Sequence, residues 1–213
     1  MAKPRSVWRC QNCGASAARW IGRCSDCGEF GTYVEDIEQP VGQKRQAASS
    51  ASGDVVSLQS AGSKDAPRTP TGVAELDRVL GGGLVAGSLV LLGGEPGIGK
   101  STLLLQAADS LAATGAEVLY VCGEESPQQI GIRARRLGTI QQGVALLPEL
   151  DIAVVEATVR DRKPEVLVVD SIQTAFDSEL AGAPGSVGQV RACTARLMRM
   201  AKDLNVITII VGH

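Results

Sequence analysis

The sequence predicts an α/β fold, a mostly parallel β-sheet covered by helices on both faces, with a small cysteine-bearing ribbon ahead of it. Three observations carry this prediction. From residue 71 onward, short apolar runs alternate with helical segments, the rhythm of strand–helix–strand units. One of those runs opens directly into a glycine-rich phosphate-loop pattern. Four cysteines lie in two tight pairs near the N-terminus, outside the alternating zone.

Residues 1–38 hold the cysteine pairs together with Trp8, Trp20 and Tyr33. Cys10-x-x-Cys13 and Cys24-x-x-Cys27 can place four thiolates tetrahedrally around Zn²⁺, although iron also suits four thiolates. Gly14 and Gly28 directly follow the second cysteine of each pair, where tight turns relieve crowding. Four cysteine ligands close the coordination shell, so the predicted metal site is structural, and a metal of this kind supplies on the order of 10 kcal/mol of folding energy. A redox dithiol is the alternative reading of the cysteines. Arg5, Arg9, Arg19 and Arg23 interleave with Trp8 and Trp20. Two readings stand equally open for them: a surface for nucleic-acid phosphates and bases, or solvated arginines over a tryptophan-supported miniature core.

Residues 39–70 turn polar and small, with three prolines, which is linker composition; a short strand at 55–58 is the one element it offers. Residues 71–213 form the predicted α/β core. Leu89-Val90-Leu91-Leu92 is an apolar run bounded by glycines, as expected of a strand buried on both faces. A helix over 100–113, a strand over 117–122 and an arginine-bearing helix over 128–137 follow. Then come a helix over 151–162 that ends before Pro164, a strand over 166–169, a helix over 191–204 and a closing strand over 206–211.

The strongest motif is Gly94-Glu95-Pro96-Gly97-Ile98-Gly99-Lys100-Ser101, followed by Thr102. Its glycines let backbone N–H groups approach phosphate, and the helix that starts near Lys100 adds the positive end of its dipole. The pattern predicts ATP binding, with Lys100 reaching the β- and γ-phosphates and the Ser101 hydroxyl ligating Mg²⁺. Val166-Leu167-Val168-Val169-Asp170 places a carboxylate at a strand end, where Asp170 can hold a metal-bound water in the same site. Cys122-Gly123-Glu124-Glu125-Ser126-Pro127 follows the intervening strand. Glu124 is the predicted water-activating group, with Glu125 assisting and Lys100 completing the catalytic set. Ser126 capping the next helix with Pro127 at its first position explains part of the same segment.

Two further features stay open at this level. Arg133, Arg135 and Arg136 crowd one helix, more in keeping with a solvated face than with a basic binding surface. Residues 177–188 form a glycine-rich segment just past Asp170, a ligand-contacting loop or an ordinary connection.

Composition bounds the rest. The 213 residues are 44% hydrophobic, 21% charged and only 3% aromatic, with a net charge of -2. A core built on Leu, Val, Ile and Ala is therefore expected, and a nucleic-acid partner is neither demanded nor excluded. No run approaches the roughly 20 apolar residues of a membrane span, and no secretory signal opens the chain. With paired rather than scattered cysteines, these features predict a cytoplasmic protein in a reducing compartment.

The segment from Thr71-Gly72-Val73 through Gly81-Gly82-Gly83-Leu84 into the phosphate loop resembles the RecA/KaiC branch of P-loop ATPases. The four-cysteine ribbon, Gly123-Glu124-Glu125-Ser126, Asp170-Ser171-Ile172-Gln173-Thr174 and residues 183–191 narrow the resemblance to the bacterial RadA (Sms) family of DNA-repair ATPases. That resemblance implies a RecA-like core in a homo-hexameric motor. Such a motor binds single-stranded or branched DNA and drives branch migration with ATP, in company with recombinase-type protein partners. It implies that residues 177–188, with Gln189 and Arg191 beyond them, contact DNA, that His213 ends a strand carrying a γ-phosphate sensor, and that the ribbon engages DNA or a partner. It further implies more core strands, a Lys-Asn-Arg-Phe-Gly motif and a Lon-like domain beyond His213. The chain is therefore expected to be an incomplete core with an open apolar sheet edge. A KaiC-like, nucleotide-dependent switch acting on a protein is the alternative function.

Overall fold

A computed structural model describes residues 5–38, 57–58, 67–139, 141, 143–180 and 182–212. Most of the expected linker, the strand expected at 55–58 and His213 lie outside the described residues. The chain divides into two units, Met1–Asp65 and Ala66–His213.

In the first unit, β1 (Arg5–Cys10) sits between β2 (Ser16–Ala17) and β3 (Tyr33–Glu38) in an antiparallel sheet. Among the described residues of this unit Cys10, Cys24 and Tyr33 are buried, with Trp8, Ala15, Ala17 and Ile21 packed around them. None of these strands was expected. Their apolar alternation is too short to show beside the cysteine spacing.

The second unit opens with a two-stranded pairing of β4 (Arg68–Thr69) and β5 (Leu84–Val85) around α1 (Ala74–Val79). Its main sheet takes β6 (Leu89–Gly93), β7 (Val118–Cys122), β8 (Val144–Leu147), β9 (Val166–Asp170) and β10 (Ile207–Gly212). All pairs are parallel, in the order β6-β10-β9-β7-β8. The connecting helices are α2 (Lys100–Ala113), α3 (Pro127–Leu137), α4 (Ile152–Arg162) and α5 (Val187–Leu204).

Alternate strand residues feed two separate cores. Val118, Tyr120, Val166 and Val168 pack with Leu104, Leu105 and Leu111 of α2 and Ile130 of α3. Leu119, Val121, Leu167 and Val169 pack on the other face with Ile152, Val155 and Val159 of α4 and Leu197 and Met200 of α5. Cover on both faces is why β7 and β9 read as near-continuous apolar runs, and β10 as one broken only by the buried Thr208, instead of alternating ones. The edges differ: β8 is half-buried, and at the other edge Leu91 of β6 is 60% exposed.

In the main sheet the predicted elements agree with the observed ones except in three places, and β4, α1 and β5 ahead of it were not predicted. β6, expected to be buried on both faces, is an edge strand with no fully buried residue. β8 went unread because Val144–Leu147 is short and lies behind a polar stretch. α5 starts at Val187, four residues before the expected helix, because Ser186 caps it by accepting the Gln189 N–H. Among the described residues, no helix is long and apolar enough to cross a membrane.

Candidate functional site: a phosphate loop flanked by strand-end carboxylates

β6 ends at Gly93 and α2 begins at Lys100, so the glycine-rich loop bridges a strand end and a helix N-terminus. Gly97 and Gly99 have φ of 79° and 101°, conformations that side-chain-bearing residues rarely adopt. A Cβ at either position would meet no protein atom within 4 Å. Backbone conformation therefore demands these glycines, and the space beside them is open. Lys100 is only 8% exposed, and its Nζ donates to the carbonyls of Gly94 and Glu95 at 2.7 and 2.8 Å. Ile98 is 71% exposed at the loop tip. Gly94, Glu95, Pro96, Ser101 and Thr102 complete this segment in unbroken succession. The open cradle, the helix N-terminus and the lysine suit an anionic phosphate chain.

The predicted carboxylates come from neighbouring strands. Asp170 closes β9 and pairs with Cys122 at the end of β7, where the Gly123 N–H donates to the Asp170 carbonyl at 3.0 Å. Asp170 is 8% exposed, and its Oδ2 accepts the Tyr120 hydroxyl at 2.7 Å. Desolvation, and then the Asp170 charge, push the Tyr120 hydroxyl far above its ordinary range, so it remains a proton donor. Ser171, fully buried, donates from Oγ to Glu124 Oε1 at 2.6 Å.

Glu125 is held differently, accepting from Arg133 Nη1 at 2.8 Å. Arg133 keeps only 15% of its side chain exposed. It therefore leaves the solvated arginine face that the sequence suggested for α3. Ser126 caps α3 through a full capping box with Gln129, with Pro127 at the first helical position, as the capping alternative required. A Cβ at Gly123 would collide with the Leu150 side chain and lie 2.6 Å from Thr174 Oγ1, so both side chains would have to shift to admit one. Tyr120, Ser171 and Gly123 were given no role from sequence, although Ser171 and Gly123 stand in the motifs that carry Asp170 and Glu124.

The expected DNA-contacting segment needs a correction. Gln189 is 1% exposed and cannot reach a partner without leaving its place. Its Oε1 accepts the Asp177 N–H at 2.8 Å, and its Nε2 lies 3.0–3.3 Å from the carbonyls of Asp177, Leu180 and Gly182. Arg196 adds ion pairs to Asp177 at 3.1 Å and Glu156 at 2.7 Å. Gln189 thus braces the base of the loop from inside, because a buried amide needs all its partners. Residues 182–185 and Arg191 remain exposed.

In the ribbon, the ligand atoms of Cys10, Cys13, Cys24 and Cys27 all lie within 4.8 Å of one another. Cys10 and Cys27 Sγ are 3.7 Å apart, and Cys13 and Cys24 Sγ 3.5 Å. Tetrahedral metal–sulfur bonds of about 2.3 Å require sulfur–sulfur edges of about 3.8 Å, so the set fits a tetrahedral ion. The two halves repeat each other: Gly14 N–H donates to the Cys10 carbonyl and Gly28 N–H to that of Cys24, both glycines at φ 78°. The Cys27 backbone N–H, helped by the Tyr33 hydroxyl, pulls the Cys24 thiol down to about 6. Cys13 stands at about 12, because burial and the three neighbouring sulfurs outweigh the Ala15 N–H that favours its thiolate. Arg23 has an internal role, donating to the Gly28 carbonyl at 2.9 Å with its guanidinium 5.3 Å from the Phe30 ring centroid. Trp8 packs on the ribbon core, whereas Trp20 is 54% exposed.

Comparison with known proteins agrees with this division. Residues 64–213 match the family model described as AAA domain, and residues 8–35 match one described as Rubredoxin metal binding domain. Over its whole length the chain is similar to proteins named DNA repair protein RadA. It is 45% identical to those of Bacillus subtilis and Pseudomonas aeruginosa and 44% identical to that of Streptococcus pyogenes. It spans 47% of each of these relatives.

Proposed function

The chain belongs to the AAA domain family, and from that premise we propose that it is a DNA-repair ATPase that binds single-stranded or branched DNA and couples ATP hydrolysis to branch migration. The observation that carries the reading is that a phosphate loop and two carboxylates stand at the C-terminal ends of the parallel strands β6, β9 and β7 of one sheet, in a chain similar to RadA proteins. Gly94 to Thr102 hold the phosphates, and Lys100 exchanges the carbonyls of Gly94 and Glu95 for the β- and γ-phosphate oxygens. Ser101 and Asp170 hold Mg²⁺, which when bound neutralises phosphate charge. Glu124 takes the proton of the attacking water. Glu125, neutralised by Arg133, supports the turn instead.

The ribbon holds Zn²⁺ through its four cysteines as a structural ion, and it engages DNA or a recombinase-type partner. Assembly as a homo-hexamer belongs to the full-length protein, in the cytoplasm. Residues 1–38, 39–70 and 71–213 serve as ribbon, linker and ATPase core. Within the core, the exposed residues 182–185 and Arg191 take the DNA-contacting role that buried Gln189 cannot.

The test is ATP hydrolysis with and without single-stranded DNA, alongside Lys100→Ala. DNA-stimulated turnover that vanishes in the variant supports the reading. Turnover or nucleotide binding that ignores DNA, in this chain and in a C-terminally extended one, replaces it with a KaiC-like switch acting on a protein.

A further inference from the structure

We infer that Tyr120 and Ser171 are positioning residues that set the two carboxylates of the nucleotide site through reciprocal hydroxyl bonds across the ends of β7 and β9. The inference rests on the ATPase reading above and deepens it. Tyr120 belongs to β7 and donates to Asp170 of β9; Ser171, directly after β9, donates back to Glu124, just past β7. The two strands thus hold each other's functional side chain. The link is tightened by the Gly123 N–H bond to the Asp170 carbonyl, which fixes the backbone between them.

Burial makes the arrangement rigid. Tyr120 and Ser171 are both 0% exposed, so neither hydroxyl has bulk water as an alternative partner. Tyr120 is anchored by its ring in the apolar layer beneath α2, among Leu104, Leu105 and Val168. A phenol fixed in this way has little freedom to aim its oxygen elsewhere. A neutral hydroxyl restrains a carboxylate without adding positive charge. Each carboxylate has a second oxygen beyond the one that accepts the hydroxyl. The contrast is with Glu125, one residue on, where the restraint is a guanidinium that neutralises the charge. Asp170 and Glu124 thus each accept a buried hydroxyl, whereas Glu125 accepts a guanidinium.

The two pairs make separable predictions. Tyr120 acts through Asp170, so Tyr120→Phe should raise by about 10-fold the Mg²⁺ concentration needed for half-maximal binding of a fluorescent ATP analogue, the scale of losing a support behind a metal-holding group. Binding of the same analogue in EDTA should stay unchanged. Ser171 acts through Glu124, so Ser171→Ala should lower kcat by about 10- to 100-fold, with KM and analogue affinity within about 2-fold. Ser171→Thr, which keeps the hydroxyl, should recover most of that loss.

Thermal unfolding of each variant serves as the control for folding. Wild-type Mg²⁺ dependence in Tyr120→Phe together with wild-type kcat in Ser171→Ala overturns the inference and leaves the ATPase reading intact. So does a loss of function that only tracks a fall in Tm, with Ser171→Thr no better than Ser171→Ala. A chain that binds the analogue but does not turn over is judged on the Mg²⁺ arm alone. A chain that binds no analogue at all removes the functional reading and this inference with it.

Discussion

The ribbon and the α/β unit solve the same problem by opposite means. In the ribbon, the buried apolar residues among those described are two of the four cysteines and Tyr33, and Phe30 is 73% exposed. In the α/β unit, each face of the sheet has its own core, and residues such as Val166, Leu167, Leu111 and Val159 are fully buried. Small domains bury too little surface to offset chain entropy, so the ribbon needs an ion where the sheet needs only packing. The difference teaches that the two units should fail independently and for different reasons.

The sharpest way to break the comparison is to remove the metal. A strong chelator, or Cys10→Ser with Cys24→Ser, should forfeit on the order of 10 kcal/mol of ribbon stability. Limited proteolysis should then cut within residues 5–38 while the larger unit keeps its unfolding transition. A ribbon that stays protected without metal would show that packing, not coordination, holds it.

Next in size is the reciprocal experiment. Leu167→Ala, at a fully buried central position of β9, should lower the stability of the larger unit by about 2–5 kcal/mol. Denaturant titration would read the shift, and metal content measured on the same sample should not change. Loss of metal in parallel would mean that the two units are coupled.

The smallest effect sharpens the account of α4 and α5. Hydrogen bonds from Arg160 and then Arg196 hold the Glu156 carboxyl below its ordinary value of 4.5. A carboxyl depressed by folding contributes stability that is full above that ordinary value and is lost as pH falls through its lower, folded value. Glu156→Gln should therefore cost about 1 kcal/mol near neutral pH, with the gap from wild type closing as the medium is acidified below 4.5. A gap that persists in acid would assign the effect to packing rather than charge.

Legibility followed sequence distance. Cys10 with Cys13, Cys24 with Cys27, and the run from Gly94 to Ser101 are local patterns in which neighbouring residues share one task, and the structure brings each set together. Asp170 was readable because a strand buried on both faces announces its own end. Tyr120, by contrast, looks like one more apolar residue of β7 until Asp170, 50 positions away, is placed beside it. Ser171 and Glu124 meet across 47 positions. Gln189 misled for the same reason: a polar residue after a glycine-rich loop reads as exposed, and only its bonds to Asp177, Leu180 and Gly182 hold it inside.

The sequence by itself determined the four main helices, the strands β6, β7, β9 and β10 between them, the metal-ligand set and the phosphate loop, because these rest on periodicity, spacing and backbone freedom within a few residues. Tertiary structure alone decided which carboxylate is held by a hydroxyl and which by an arginine. It also decided which polar side chain is buried as a brace, and which strands stand at the edges. Those outcomes depend on which strand ends pair in space, and hydrogen bonds between residues dozens of positions apart leave no periodic trace in the chain.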